Sequence, residues 1–146
     1  MDNSTSNQGQ ESNLTLKVIN GGPTNFNCNV TLVMGEDDAV LIDMPFSRSQ
    51  GHRVIAEILE TQLNLKYIYV THSHPDHHFS SSVFAQAFPN TEIIALPQIA
   101  LNVAMAIPGR VRFWGPMLGA NGPGNPPSTG ARCRAVSCYR HQTRQP

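Results

Sequence analysis

The chain lacks any apolar run of about 18 residues, so no segment of it is expected to span a bilayer. Its opening stretch, MDNSTSNQGQESN, lacks the apolar block of a secretory signal. It has only three cysteines, an odd number that excludes a disulfide framework. Cys28 falls in a strand-like stretch and reads as a small buried hydrophobe, while Cys133 and Cys138 lie in the tail. Net charge is also absent: ten Lys/Arg balance ten Asp/Glu, which removes any global attraction to nucleic acid or to an anionic membrane surface. The balance hides one more absence, since no Asp or Glu follows Glu92, whereas six of the ten basic residues lie at or after Arg110. A single-domain cytoplasmic protein is expected, with a small-molecule substrate and neither nucleic acid nor membrane as its partner.

What is present is a strongly patterned middle. Residues 1–13 are rich in Asn, Ser, Gln and Gly and are expected to be disordered. LTLKVIN (14–20) alternates apolar and polar positions as a half-buried strand does, and Gly21-Gly22-Pro23 makes a turn. NVTLVMG (29–35) and DAVLIDMPF (38–46) follow as an antiparallel pair. From Ser49 the period changes to helical, with Val54, Ile55, Ile58, Leu59 and Leu63 on one side, and Ser47 with Gln50 resembles a capping box. KYIYVTH (66–72) is a strand, SSVFAQAF (81–88) a helix, TEIIAL (91–96) a strand and PQIALNVAMA (97–106) a helix. VRFWGPMLGANGPGNPP (111–127) reads as a loop that carries Trp114. The β-α-β-α-β order over 38–96 predicts parallel crossovers, joined to an antiparallel pair. The fold class is therefore α/β, more exactly an α+β mixed sheet covered by helices on one face and needing a second layer on the other.

Four of the six histidines crowd into THSHPDHHFS (71–80), where strand 66–71 ends. Ligands gather at the carboxyl ends of strands in sheets with helical crossovers, because the loops converge there. His72 and His74, two apart in extended chain, can meet one cation; Asp76 and His77 can reach a second or hold a water. Imidazole and carboxylate suit zinc, and also iron or manganese. A lone HxH arises by chance in surface loops, but HxHxDH between an apolar strand and a helix is far more demanding. His78 is read as a group outside the metal shell and His52 as a solvated helix residue.

HSHPDH (72–77) after YIYVT resembles the HxHxDH signature of the metallo-β-lactamase superfamily. NVTLVMG and AVLIDMPF are similar to the strands that lead to an Asp-Thr-Gly-like turn in that family; here Asp43 matches the aspartate and Met44-Pro45 replace Thr-Gly. The resemblance implies the N-terminal half of an αββα sandwich over about 14–127. It also implies a binuclear Zn2+ site, with His72 and His74 on the first ion and Asp76 and His77 on the second. Asp43 would support the site from behind, or serve only as a strand-end turn residue. The activity implied is hydrolysis: a zinc-activated water attacks an ester, amide, thioester or phosphodiester, with Asp76 as the catalytic residue that orients it or takes its proton. One departure is that His78-Phe79-Ser80 stands where the family has glycine after Asp-His, so Phe79 is expected to reshape the pocket or the start of the next helix.

The family's downstream ligands are a third histidine, a bridging carboxylate and a late histidine. With no acidic residue after Glu92, the bridge cannot be supplied, and His141 lacks a strand to aim it. STGARCRAVSCYRHQTRQP (128–146) has no periodicity and resembles an off-frame tail, so the genuine frame is expected to end near residue 127. The alternative to an active hydrolase is then a catalytically incompetent fragment that holds one zinc ion or none. Such a fragment would self-associate through an uncovered sheet face.

Overall fold

In the computed structural model, described over residues 13–123 and the backbone of 134–135, alternation of apolar and polar residues builds one mixed sheet. The strands are β1 (Thr15–Asn20), β2 (Asn29–Met34), β3 (Asp38–Ile42), β4 (Asn64–Val70), β5 (Glu92–Ala95) and the two-residue β6 (Arg134–Ala135). They lie side by side in chain order. β1 and β2 pair antiparallel across the loop 21–28, as do β2 and β3 across the turn 35–37; β3, β4, β5 and β6 run parallel. The helices that make those crossovers are α1 (Arg48–Thr61) and α2 (Ser81–Ala87); α3 (Pro97–Leu118) follows β5.

Pleating sends alternate side chains to opposite faces. Val30 and Leu32 of β2, Leu41 of β3, Ile68 and Val70 of β4 and Ile93 of β5 face the helices, where Val54, Ile55 and Ile58 of α1 and Val83 and Phe84 of α2 complete one core. Gly51 allows the two helices to touch: a Cβ there would meet Val83 Cγ2 at 2.8 Å and Ser80 Cβ at 2.9 Å. Leu59, expected on that face, is exposed; it lies one position past Ile58, about 100° around the helix. Ser47 caps α1 as its sequence predicts, its Oγ accepting from the Gln50 N–H at 3.4 Å.

The other face of the sheet carries no helix of its own among the described residues. Leu16 and Val18 of β1 are 67% and 61% exposed, and Tyr67 of β4 is also exposed. The expected shape, a mixed sheet covered on one face, is the one found.

α3 differs from expectation. It runs 22 residues, through Pro108 and Pro116, and takes Trp114 with it out of the predicted loop. Proline removes one helical N–H, which matters least where the freed carbonyl faces water. Ala104, whose carbonyl Pro108 leaves unpaired, is exposed, as is Pro108 itself. Trp114 packs edge-on against Phe46, with ring centroids 5.3 Å apart, and anchors the far end of the helix. Apart from the β6 backbone, the tail 128–146, with Cys133, Cys138 and His141, lies outside the described residues, as do residues 1–12.

Candidate metal centre

Two loops meet at the carboxyl ends of β3 and β4. The first starts at Asp43, whose φ of 64° turns the chain sharply out of β3, a conformation that aspartate tolerates better than most residues. Its backbone N–H still donates to the Tyr69 carbonyl, and the next N–H, of Met44, donates to the His77 carbonyl, each at 2.9 Å. Ser80 adds two bonds to the Pro45 carbonyl, from its N–H at 3.1 Å and from its hydroxyl at 2.6 Å. The histidine-rich loop is thereby stitched to the segment that follows β3.

Asp43 is buried and fully engaged. Its Oδ1 accepts the Thr71 N–H at 2.8 Å, and its Oδ2 accepts the Thr71 hydroxyl at 2.7 Å and lies 2.8 Å from His77 Nδ1. With Nδ1–H given to Asp43, His77 presents a bare Nε2 lone pair on its other side, the arrangement that prepares a histidine for a cation. That Nε2 lies 3.4 Å from Asp76 Oδ2.

The structure brings His72 and His77 together, with ring centroids 3.9 Å apart, and places one donor atom each from Asp43, His72 and His77 within 4.8 Å of one another. A second such trio is Cys28, Asp76 and His77. His74 belongs to neither trio; its ring centroid is 4.9 Å from that of His72, and its exposed side chain lines the neighbouring cavity. The carboxylate that sequence reasoning set behind the site therefore does stand behind it, touching His77. Cys28 is the residue that reasoning missed. It is half-buried ahead of β2, its Sγ 2.8 Å from Asp76 Oδ2. No spacing rule links positions 48 residues apart, so only the fold reveals the contact.

The electrostatics suit a cation. Burial first, then the proximity of His77, lowers the pKa of His72 from 6.5, which keeps its imidazole neutral. Burial opposes ionisation of Asp76, but the Cys28 thiol, its own backbone N–H, His77 and His74 together outweigh that and lower its pKa. Burial, followed by the hydrogen bond to Asp76, raises the Cys28 thiol to about 11. In each trio, imidazole and carboxylate donors within 4.8 Å of one another fit a divalent ion of the zinc type.

His78 turns away from this cluster. It is 5% exposed, and its Nε2 lies 3.2 Å from the Ser73 carbonyl, to which it donates. Burial lowers its pKa from 6.5 to about 4. The unfolded chain thus binds a proton here that the folded one refuses, so stability falls as pH drops from about 6.5 toward 4. The loss is roughly 3 kcal/mol across that window. His78→Gln, which keeps a donor for Ser73, should flatten this acid limb in urea titrations run at pH 7, 5.5 and 4.5 without metal.

A cavity of about 450 Å3 opens beside the centre, lined by Phe26, Phe46, His74, Pro75, Asp76, Arg110 and Trp114. Phe46 stacks on Phe79, with ring centroids 5.6 Å apart and planes 9° from parallel. Phe79 is therefore buried behind Phe46, which lines the cavity.

A mixed sheet that gathers imidazoles and carboxylates from its strand ends at the mouth of an aromatic-lined cavity defines an α/β protein with a candidate metal centre. The profile of the Metallo-beta-lactamase superfamily matches residues 23–100, and the chain belongs to that superfamily. Among solved structures, it is similar to the BLEG-1 B3 metallo-beta-lactamase, with 21% identity, a TM-score of 0.50 and coverage of 57% of this chain and 38% of that one. The metallo beta lactamases from Erythrobacter litoralis and Hirschia baltica are each 18% identical, with TM-scores of 0.48 and 0.47. Each aligns over 63% of this chain and over 41% and 42% of its own length respectively. The chain thus spans less than half the length of these proteins. No curated protein matches it. Among the described residues, no helix is long and apolar enough to cross a membrane.

Proposed function

We propose that the chain is a zinc-dependent hydrolase of small molecules carrying an ester, amide, thioester or phosphodiester. The observation that supports this reading is the Asp43–His77–Asp76 line of contacts, 2.8 Å and 3.4 Å long, which ends at the cavity. A bound zinc ion would supply Lewis acidity, polarising the scissile group and lowering the pKa of water toward about 7. Asp76 and His77 would hold it, with His72 packed against the His77 ring and His74 at the cavity rim.

The chain's own residues do the rest. Asp43 fixes the ring of His77 and its proton on Nδ1, so that the Nε2 lone pair keeps one direction. Asp76, ionised and at the cavity wall, orients the attacking water and accepts its proton. The rings of Phe26, Phe46 and Trp114 hold the apolar part of the substrate and exclude bulk water from the reacting bond.

The test is turnover of a panel of chromogenic esters, thioesters, phosphodiesters and lactams by zinc-loaded protein. Asp76→Asn should lower turnover by about 100-fold or more, the range of a lost proton acceptor. Equal turnover by the wild type and the variant would dismiss the reading.

A further inference from the structure

Among the described residues, a sulfur donor stands beside the histidine-rich loop. Cys28 Sγ lies 2.8 Å from Asp76 Oδ2 and 3.9 Å from His77 Nε2, and those two atoms are 3.4 Å apart. Three donors at zinc-ligand distances in a tetrahedron are separated by about 3.3–3.6 Å, so the 3.4 Å edge already fits, the 3.9 Å edge is slightly long, and the 2.8 Å edge must open by roughly 0.5–0.8 Å.

The thiol is held there by the backbone. The Gly21 N–H donates to the Cys28 carbonyl and the Cys28 N–H to the Asn25 carbonyl, both at 2.9 Å. Phe26 and Asn27, each with a φ of 54°, coil the loop between them. Asn25 is fully buried, and its Oδ1 accepts the Phe46 N–H, tying the loop to the segment that follows Asp43. The same aspartate aligns His77 from behind. Two of the three donors are thus oriented by independent hydrogen-bond sets before any ion arrives.

We infer that Cys28, Asp76 and His77 form a three-donor site for a borderline-soft divalent cation, zinc above all, with the thiolate supplied from the loop ahead of β2. The inference rests on the metal-dependent reading of the centre and goes beyond it by naming a sulfur ligand. All three donors lie between residues 28 and 77. Three protein ligands leave an open position, the pattern of catalytic rather than structural zinc. On binding, the sulfur–metal bond forms as the thiol proton passes to solvent; nothing is oxidised or reduced. A sulfur donor also sets the metal preference, favouring zinc, cobalt and cadmium over magnesium or manganese.

Cobalt(II) binding to the full chain tests this directly. The wild type and a Cys133→Ser/Cys138→Ser variant, in which Cys28 is the remaining thiol, should both show the near-ultraviolet thiolate-to-cobalt charge-transfer band. Cys28→Ser should lose the band and bind cobalt at least roughly 10-fold more weakly. In the Cys133→Ser/Cys138→Ser variant, zinc should also slow alkylation of Cys28, a readout that does not depend on how the Cys28 variant folds. Visible cobalt d–d bands with no charge-transfer band, a band that survives Cys28→Ser, or alkylation indifferent to zinc would overturn the proposal while leaving the metal centre standing. No cobalt bound by folded wild-type protein would overturn both.

Discussion

Asp43→Ala is expected to weaken zinc binding by about 10–100-fold, as loss of a metal ligand's orienting partner does elsewhere, and to destabilise the fold by about 2–4 kcal/mol. The first effect follows from His77, which loses the carboxylate 2.8 Å from its Nδ1 and with it a fixed proton position. The second follows from Thr71, whose N–H and hydroxyl both lose their acceptor at 2.8 Å and 2.7 Å. Asp43→Asn separates the two. Asparagine tolerates the positive φ and keeps an oxygen for the Thr71 N–H, so stability should largely hold. Its amide group would face His77 Nδ1 with a donor, which drives the ring proton to Nε2 and occupies the lone pair meant for the metal. Zinc titration beside urea unfolding of both variants checks the account; an Asp43→Asn protein that binds zinc like the wild type would contradict it.

The second large effect lies in the core. Phe84 is 0% exposed and sits on α2, the seven-residue helix that follows the histidine loop. Phe84→Ala is expected to cost about 3–5 kcal/mol through lost apolar contact and the cavity left behind. For a domain whose total stability is on the order of 5–15 kcal/mol, that is a large share of the margin. The urea midpoint should fall sharply. Zinc binding should fall with it, because α2 and α1 clamp the loop carrying Asp76 and His77 through the close contact at Gly51. A midpoint within error of the wild type would mean that α2 does not hold the core as described.

The strands were legible because their period of two is written in LTLKVIN and NVTLVMG, and α1 because Ser47 announces its start and Val54, Ile55 and Ile58 its buried side. The β3–β4–β5 parallel order followed from helices placed between strands. Two features escaped for physical reasons. α3 continued past Pro108 because the carbonyl that proline leaves unpaired faces water, and a proline in sequence does not say which side of the helix it lies on. Cys28 looked like a core residue because a small thiol in an apolar stretch usually is one. Its role depends on the left-handed turn at Phe26 and Asn27, which carries the sulfur toward Asp76. The HxHxDH cluster marked the loop that carries the candidate metal centre. It did not mark the split within it, where His72 and His77 converge while His74 lies to the side and His78 turns inward.

The central claim is that residues 71–77 and their supports grip a divalent ion. Elemental analysis of metal retained after exhaustive dialysis, for the wild type and for a His72→Ala/His77→Ala variant, measures it most directly. The account predicts about one zinc ion per folded wild-type chain and none above buffer in the variant. Wild-type protein that shows the far-ultraviolet circular dichroism of this mixed fold yet retains no zinc would contradict it.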